Sequence, residues 1–211
     1  MKKPAAHKPI ETEIKLPVGS PAKVRALLRA RGFGIIAPRI FEQNLVLDDE
    51  AQSIRARGML LRVRGAGKVV TCTFKGAATG VRHKSRVERE FHADKIEECL
   101  AVFAGIGYRE RFRYEKYRTE FARRGEPGIV TLDETPIGNF MEIEGPSRWI
   151  DATAKELGFP RSAYVTLSYG RLFENWREAQ QSTMPSTMRS IMKDMRFPRR
   201  SRRHAANEVD A

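Results

Sequence analysis

Polar and apolar residues alternate along much of this chain, and the period of the alternation divides it into elements. From Glu11 the order Glu-Thr-Glu-Ile-Lys-Leu places Glu11, Glu13 and Lys15 on one side of an extended segment, because strand side chains two apart share a face. Ser20-Pro21 then predicts a helix start, with a capping hydroxyl, a buried stripe of Val24, Leu27 and Leu28, and a stop at Arg31-Gly32. Strands are predicted over Phe41 to Leu47, Met59 to Arg64, Val69 to Lys75 and Arg82 to Phe91, separated by glycine-rich or polar turns. Asp94 reads as the cap of a second helix that carries Ile96, Cys99, Leu100 and Phe103 and ends at Gly105 and Gly107. Phe112 to Ala122, Ile129 to Asp133 and Asn139 to Glu144 alternate again, and Asp151 to Leu157 and Ser168 to Trp176 read as helical.

The polar side of each strand is charged in pairs. Arg62 and Arg64 oppose Leu61 and Val63; Lys75 follows Thr71 and Thr73, opposite Cys72 and Phe74; Lys84, Arg86, Glu88 and Glu90 run in series. Lys116 and Arg118 alternate with Tyr117 and Thr119, and Glu142 and Glu144 with Met141 and Ile143. One reading is an open sheet whose solvated face is laced by ion pairs. The other is a closed barrel whose charged faces converge on the axis while the apolar faces pack against outer helices. Repeated Arg-x-Arg, Lys-x-Arg and Glu-x-Glu pairs favour the second: an α+β fold with an antiparallel, closed β-barrel and a charged lumen.

Composition narrows the contents of that lumen. The 211 residues include 39 Lys and Arg against 26 Asp and Glu, a formal charge of +13, so anionic partners are expected. Residues 1–10 read as an N-terminal extension, 11–176 as one domain, and 177–211 as a basic, flexible tail, poor in large aliphatics. Nucleic acid is a partner only through that tail, where Arg199, Arg200, Arg202 and Arg203 cluster. Cys72 and Cys99 lack zinc or redox spacing and read as packing in a reducing compartment. His7, His83, His92 and His204 are scattered, which excludes a zinc centre or a Ser/His/Asp site built on them. No apolar leader and no apolar run of membrane-spanning length is present, so a cytoplasmic protein, monomer or homodimer, without a membrane span is expected.

Guanidinium and ammonium groups crowded in a lumen need anions, and carboxylates crowded there need cations. A metal-bound polyphosphate satisfies both. Arg62, Arg64, Lys75, Lys116 and Arg118 suit phosphate oxygens, and Glu11, Glu13, Glu142 and Glu144 suit Mg2+ or Mn2+. No Gly-x-x-x-x-Gly-Lys loop competes for the phosphates.

These residues resemble the CYTH superfamily, the triphosphate tunnel metalloenzymes, and most of all its class IV adenylyl cyclase-like subgroup. ETEIKL matches the ExExK signature, and LLRVR, TFKG, KSRVERE, YEKYR, TLDETPIGNFMEIEGP and LSYGRL follow in the family's order between Glu11 and Trp176. The resemblance implies an antiparallel tunnel of about eight strands that binds a triphosphate with Mg2+ or Mn2+. It makes Glu11, Glu13 and Lys15 catalytic, and gives Glu11, Glu13, Glu88, Glu90, Asp133, Glu142 and Glu144 to metal. Phosphate falls to Arg62, Arg64, Lys75, Arg86, Lys116 and Arg118, with Lys15 beside them. The implied activity is conversion of ATP to cyclic AMP and pyrophosphate. The alternatives are hydrolysis of inorganic triphosphate, thiamine triphosphate or a nucleoside triphosphate, and a non-catalytic protein that binds polyphosphate or nucleotide. In NLVLDD, Val46 departs from the aromatic common in relatives, and Asp48 and Asp49 read as turn residues or as ligands.

Overall fold

The computed structural model describes residues 10–80, 82–180 and 193–198. Eight strands close into a barrel: β1 (Ile10–Val18), β2 (Gly34–Asp48), β3 (Leu60–Ala66), β4 (Val69–Lys75), β5 (Lys84–Ala93), β6 (Arg109–Ala122), β7 (Ile129–Thr135) and β8 (Gly138–Glu144). Their order around the wall is β1-β5-β4-β3-β2-β6-β7-β8, every pairing is antiparallel, and β1 closes on β8 through Glu13↔Glu144 and Lys15↔Glu142. The α+β barrel expected from the charged alternation is therefore the fold found, not the open sheet.

Helices α1 (Pro21–Ala30), α2 (Ser53–Ala56), α3 (Ile96–Gly105), α4 (Ser147–Glu156) and α5 (Tyr169–Ala179) pack around the wall. One core joins Ile14, Leu16, Leu132, Met141 and Ile143 of the strands to Val24 and Leu28 of α1 and Ile150 and Ala154 of α4. A second joins Leu45, Leu47, Leu61, Val63, Val70 and Cys72 to Ile54 of α2 and Cys99 of α3. Both use the apolar sides of strands whose other sides carry the charges, so burying the grease outside turns the charges inward. The third cluster differs, because Tyr114, Phe140, Tyr169 and Phe173 meet Met195 of the distant C-terminal stretch.

Several boundaries differ from the pattern's. β2 starts at Gly34, and its register against β6 slips between Ile35 and Ala37 and again between Ala37 and Ile40. Such irregularities break a period of two, so this half of the strand shows no alternation. Ser20 sits at the N-cap of α1 without a side-chain cap bond, and α3 is preceded by an extended Lys95 rather than capped by Asp94. α4 begins at Ser147 behind Pro146, and α5 runs past Trp176 to Ala179.

β7 pairs with β6 only over Tyr117 to Phe121, leaving the earlier part of that edge to another partner. Asp194 to Phe197 takes it. Glu115 N donates to Met195 O (2.8 Å), Met195 N to Arg113 O (2.9 Å) and Phe197 N to Glu115 Oε2 (3.0 Å), while Met195 is fully buried. This short parallel addition lies within the stretch read as a tail, whereas the arginines from Arg199 to Arg203 lie outside the described residues.

Candidate functional site

The lumen is a cavity of about 1200 Å³. It is lined by Glu11, Glu13 and Lys15 of β1, Arg62 and Arg64 of β3, Lys75 of β4, Arg86, Glu88 and Glu90 of β5, Lys116 and Arg118 of β6, and Glu142 and Glu144 of β8. Of the residues grouped from the sequence, Asp133 stands behind that lining. It is fully enclosed, accepting from Lys116 Nζ (2.8 Å), Arg118 Nε (2.7 Å) and the Tyr169 hydroxyl (2.7 Å). Its oxygens are occupied in fixing the cations' heads.

Charge is arranged in neighbouring groups. Lys15 Nζ lies 2.9 Å from Glu142 Oε1 and 3.2 Å from Glu13 Oε1. Burial alone would neutralise this lysine, yet Glu13 and Glu142 outweigh it and raise its pKa above the ordinary value. Glu13 responds in kind: burial opposes ionisation, but Lys15, helped by Lys75 and Lys84, lowers its pKa. Glu142 also ionises against burial, held by Lys15 and by Arg118, which bonds it directly. Arg62 donates to Thr73 Oγ1 (3.2 Å) and to the Tyr114 hydroxyl (3.3 Å), and Arg64 lies 3.6 Å from Glu42.

The balance fails a step further along the same strands and on neighbouring β5. Lys75 contacts Glu11 and reaches Glu88 at 3.1 Å, and Arg86 lies 3.8 Å from Glu11, but these cations do not offset the crowding of Glu11, Glu88 and Glu144. Glu144 is raised to about 7, by burial first and then by the Glu11 carboxylate. Glu88 is also raised to about 7, by burial and by Glu11, against the opposing pull of Lys75. Buried oxygens that repel one another form a hard donor set short of positive charge, and that chemistry fits Mg2+ or Mn2+. Among the described residues, no three His, Cys, Asp or Glu side chains stand ready-grouped around a metal position; lysine and arginine heads lie between them.

Three residues in the lining or directly behind it, Lys84, Tyr169 and the enclosed Glu42, went unassigned from the sequence. Lys84 belongs to the β5 alternation and sits 3.6 Å from Glu13, its pKa lowered to about 8 by burial and then by Lys15. Glu42 faces Lys116 at 3.5 Å, and the period of two through Glu42 and Asn44 carried that signal. Tyr169 has no strand pattern to reveal it, yet its ring lies under Lys15 (5.3 Å) and Lys116 (5.2 Å). Asp48 and Asp49 act as turn residues: Asp48 accepts from the backbone of Asp49, Ile54 and Arg55, and Asp49 from Ser53.

A closed antiparallel barrel whose lumen interleaves carboxylates with Lys and Arg defines the class of a charged tunnel protein. The chain belongs to the CYTH family, whose domain matches residues 9–156. It is 25% identical over 135 residues to a putative adenylate cyclase of Methanocaldococcus jannaschii, spanning 64% of this chain and 76% of the relative. Among solved structures it resembles a putative adenylate cyclase of Vibrio parahaemolyticus (TM-score 0.69, 16% identity, 78% of this chain and 98% of that one). It also resembles a putative adenylyl cyclase of Hippeastrum described as having a dominant triphosphatase activity (TM-score 0.57, 18% identity, 78% and 95%). Among the described residues, no helix is long and apolar enough to cross a membrane.

Proposed function

We propose that this chain is a divalent-metal-dependent enzyme acting on a triphosphate held in the tunnel, with cyclisation of ATP to cyclic AMP and pyrophosphate as its reaction. The observation that carries the reading is one cavity lined by interleaved Lys, Arg and carboxylate heads in which Glu88 and Glu144 remain short of positive charge. Arg62, Arg64, Lys116 and Arg118 grip phosphate oxygens, with Arg86 and Lys75 beside them, and the guanidinium forks fix the chain's register. Glu11, Glu88 and Glu144 hold Mg2+ or Mn2+, with Glu13, Glu142 and Glu90 next to them; Asp133 instead anchors Lys116 and Arg118. When bound, the cation neutralises phosphate charge and acidifies a coordinated oxygen. Lys15, kept protonated by Glu13 and Glu142, contributes a fixed positive charge rather than a base.

ATP is favoured over a bare triphosphate because the lining of the same cavity also includes the apolar side chains Val46, Met59, Phe112 and Leu167, which can meet a base. Hydrolysis of the triphosphate is the second reading, favoured by the fold shared with the Hippeastrum protein described above. The test is anion-exchange analysis of products after incubation with Mg2+ or Mn2+ and, separately, ATP, inorganic triphosphate and thiamine triphosphate. Cyclic AMP with pyrophosphate is expected from ATP. Orthophosphate alone makes the protein a hydrolase, and no product from any substrate replaces the enzyme by a polyphosphate- or nucleotide-binding protein.

A further inference from the structure

Outside the tunnel, Cys72 of β4 and Cys99 of α3 meet in the second core with their sulfurs 3.3 Å apart, both as free thiols. The two residues are 27 apart in sequence and come from a strand and a helix, so the meeting is made by tertiary packing alone. A disulfide bond is about 2.04 Å long, so the sulfurs have about 1.3 Å to close. We propose that Cys72 and Cys99 form a modification site, a dithiol that a small disulfide of the glutathione class oxidises to an intramolecular disulfide tying α3 to the barrel wall.

The geometry also assigns the order of events. Cys72 is 1% exposed and lies on the strand, whereas Cys99 is 6% exposed and lies on a helix that a reagent can lift. α3 rests on the core through Cys99, its one buried residue, and through half-buried Ile96, Leu100 and Phe103, while Val102 on its outer side is 67% exposed. A ten-residue helix lying on the outside of the wall can open locally without unfolding the barrel. Burial, then the neighbouring Cys99, pushes the Cys72 thiol up; the greater exposure of Cys99 is what makes it the first nucleophile.

In the first step the Cys99 thiolate attacks one sulfur of oxidised glutathione, forming a mixed disulfide and releasing one glutathione thiol. In the second, Cys72 gives up its proton and its sulfur attacks Cys99 Sγ, breaking the mixed disulfide and expelling the second glutathione. Two protein thiols are oxidised, one glutathione disulfide is reduced to two thiols, and the two protons end on glutathione. On the lumen side of β4, Thr73 lies next to Cys72, donating to Glu90 (2.7 Å) and accepting from Arg62, so the cross-link fastens the wall that carries those contacts.

The experiment exposes the fully reduced, full-length protein in native buffer to a series of glutathione disulfide to glutathione ratios, quenches with N-ethylmaleimide and reads intact mass and peptides. Both thiols should disappear together, with a loss of two hydrogens, a linked Cys72–Cys99 peptide and a higher melting temperature. Cys72→Ala should stop at one glutathionyl group on Cys99, and Cys99→Ala should leave Cys72 unmodified. Retention of both maleimide-reactive thiols at the most oxidising ratio overturns the proposal, as does an unresolved mixed disulfide in the wild type or a cross-link that forms only in denaturant.

Discussion

Lys15 and Glu142 are bound twice over: they are strand partners across the β1–β8 seam, and their side chains form an ion pair of 2.9 Å with both ends buried. The seam that closes the barrel thus holds both a matched pair here and, at Glu13 opposite Glu144, two carboxylates side by side. Lys15→Met would leave Glu13 and Glu142 facing each other without their shared cation. Such a substitution should cost about 3 kcal/mol, the lower end for breaking a buried pair by removing one partner. Urea unfolding in EDTA measures it, and an unchanged midpoint would show that Arg118 alone balances Glu142.

Glu13→Gln keeps shape while removing one carboxylate of the acidic pairs. Product formation in the assay above should fall by about 100-fold or more, with melting temperature changed by only a few degrees, since removing one charged group damages an electrostatic site more than a barrel wall. Wild-type turnover in this variant would exclude Glu13 from the chemistry.

Arg64 faces the cavity with contacts to Glu42 and Glu90 at 3.6 and 4.0 Å, loose enough to turn toward a ligand. Arg64→Ala should weaken inorganic triphosphate binding by about tenfold, the loss expected for one charge-assisted contact. Calorimetry returning wild-type affinity would assign Arg64 to wall packing.

Glu88 and Glu144, both raised to about 7, carry the pH dependence. Their folded pKa values lie above the ordinary 4.5, so the folded state holds extra protons between pH 4.5 and about 7. The stability they contribute is complete below pH 4.5 and is lost as pH rises through 7. Cation binding must displace those protons, so stabilisation by Mn2+ over EDTA should grow from about pH 5.5 to pH 8. A melting-temperature difference independent of pH would remove Glu88 and Glu144 from the metal site.

Tyr169→Phe tests the link between α5 and the lumen. The ring beneath Lys15 and Lys116 is kept and the 2.7 Å bond to Asp133 is lost, while Lys116 and Arg118 still satisfy that carboxylate. A cost of about 1 kcal/mol is expected, the net value of one buried hydrogen bond. A far larger loss, measured by urea unfolding, would show that the Lys116 and Arg118 contacts to Asp133 depend on the hydroxyl.

The strand charges were legible because a period of two cannot be read any other way once one face is apolar: Glu142 and Glu144 point inward since Met141 and Ile143 must point outward. Which charges would compensate one another was not legible. Asp133 and Glu144 look equivalent in sequence, yet one is enclosed by three donors and the other is crowded by Glu11. Register of β7 against β6 for Asp133, and of β1 against β5 and β8 for Glu144, decides that, and register is a property of the closed barrel. Tyr169 and Met195 reach their places from a helix and a distant segment, and the Cys72–Cys99 contact likewise spans a strand and a helix, so no local period announces them.

The short addition at Met195 bears on where this polypeptide can be divided. The family match stops at residue 156, and a fragment cut soon after α5 would retain every barrel strand. It would also lack the cover over the edge of β6 where Arg113 and Glu115 bond Met195, a bare ladder of donors and acceptors beside the aromatic rings of Tyr114 and Phe173. Such an edge is a template for another chain, so the truncated protein should self-associate more readily than the longer one.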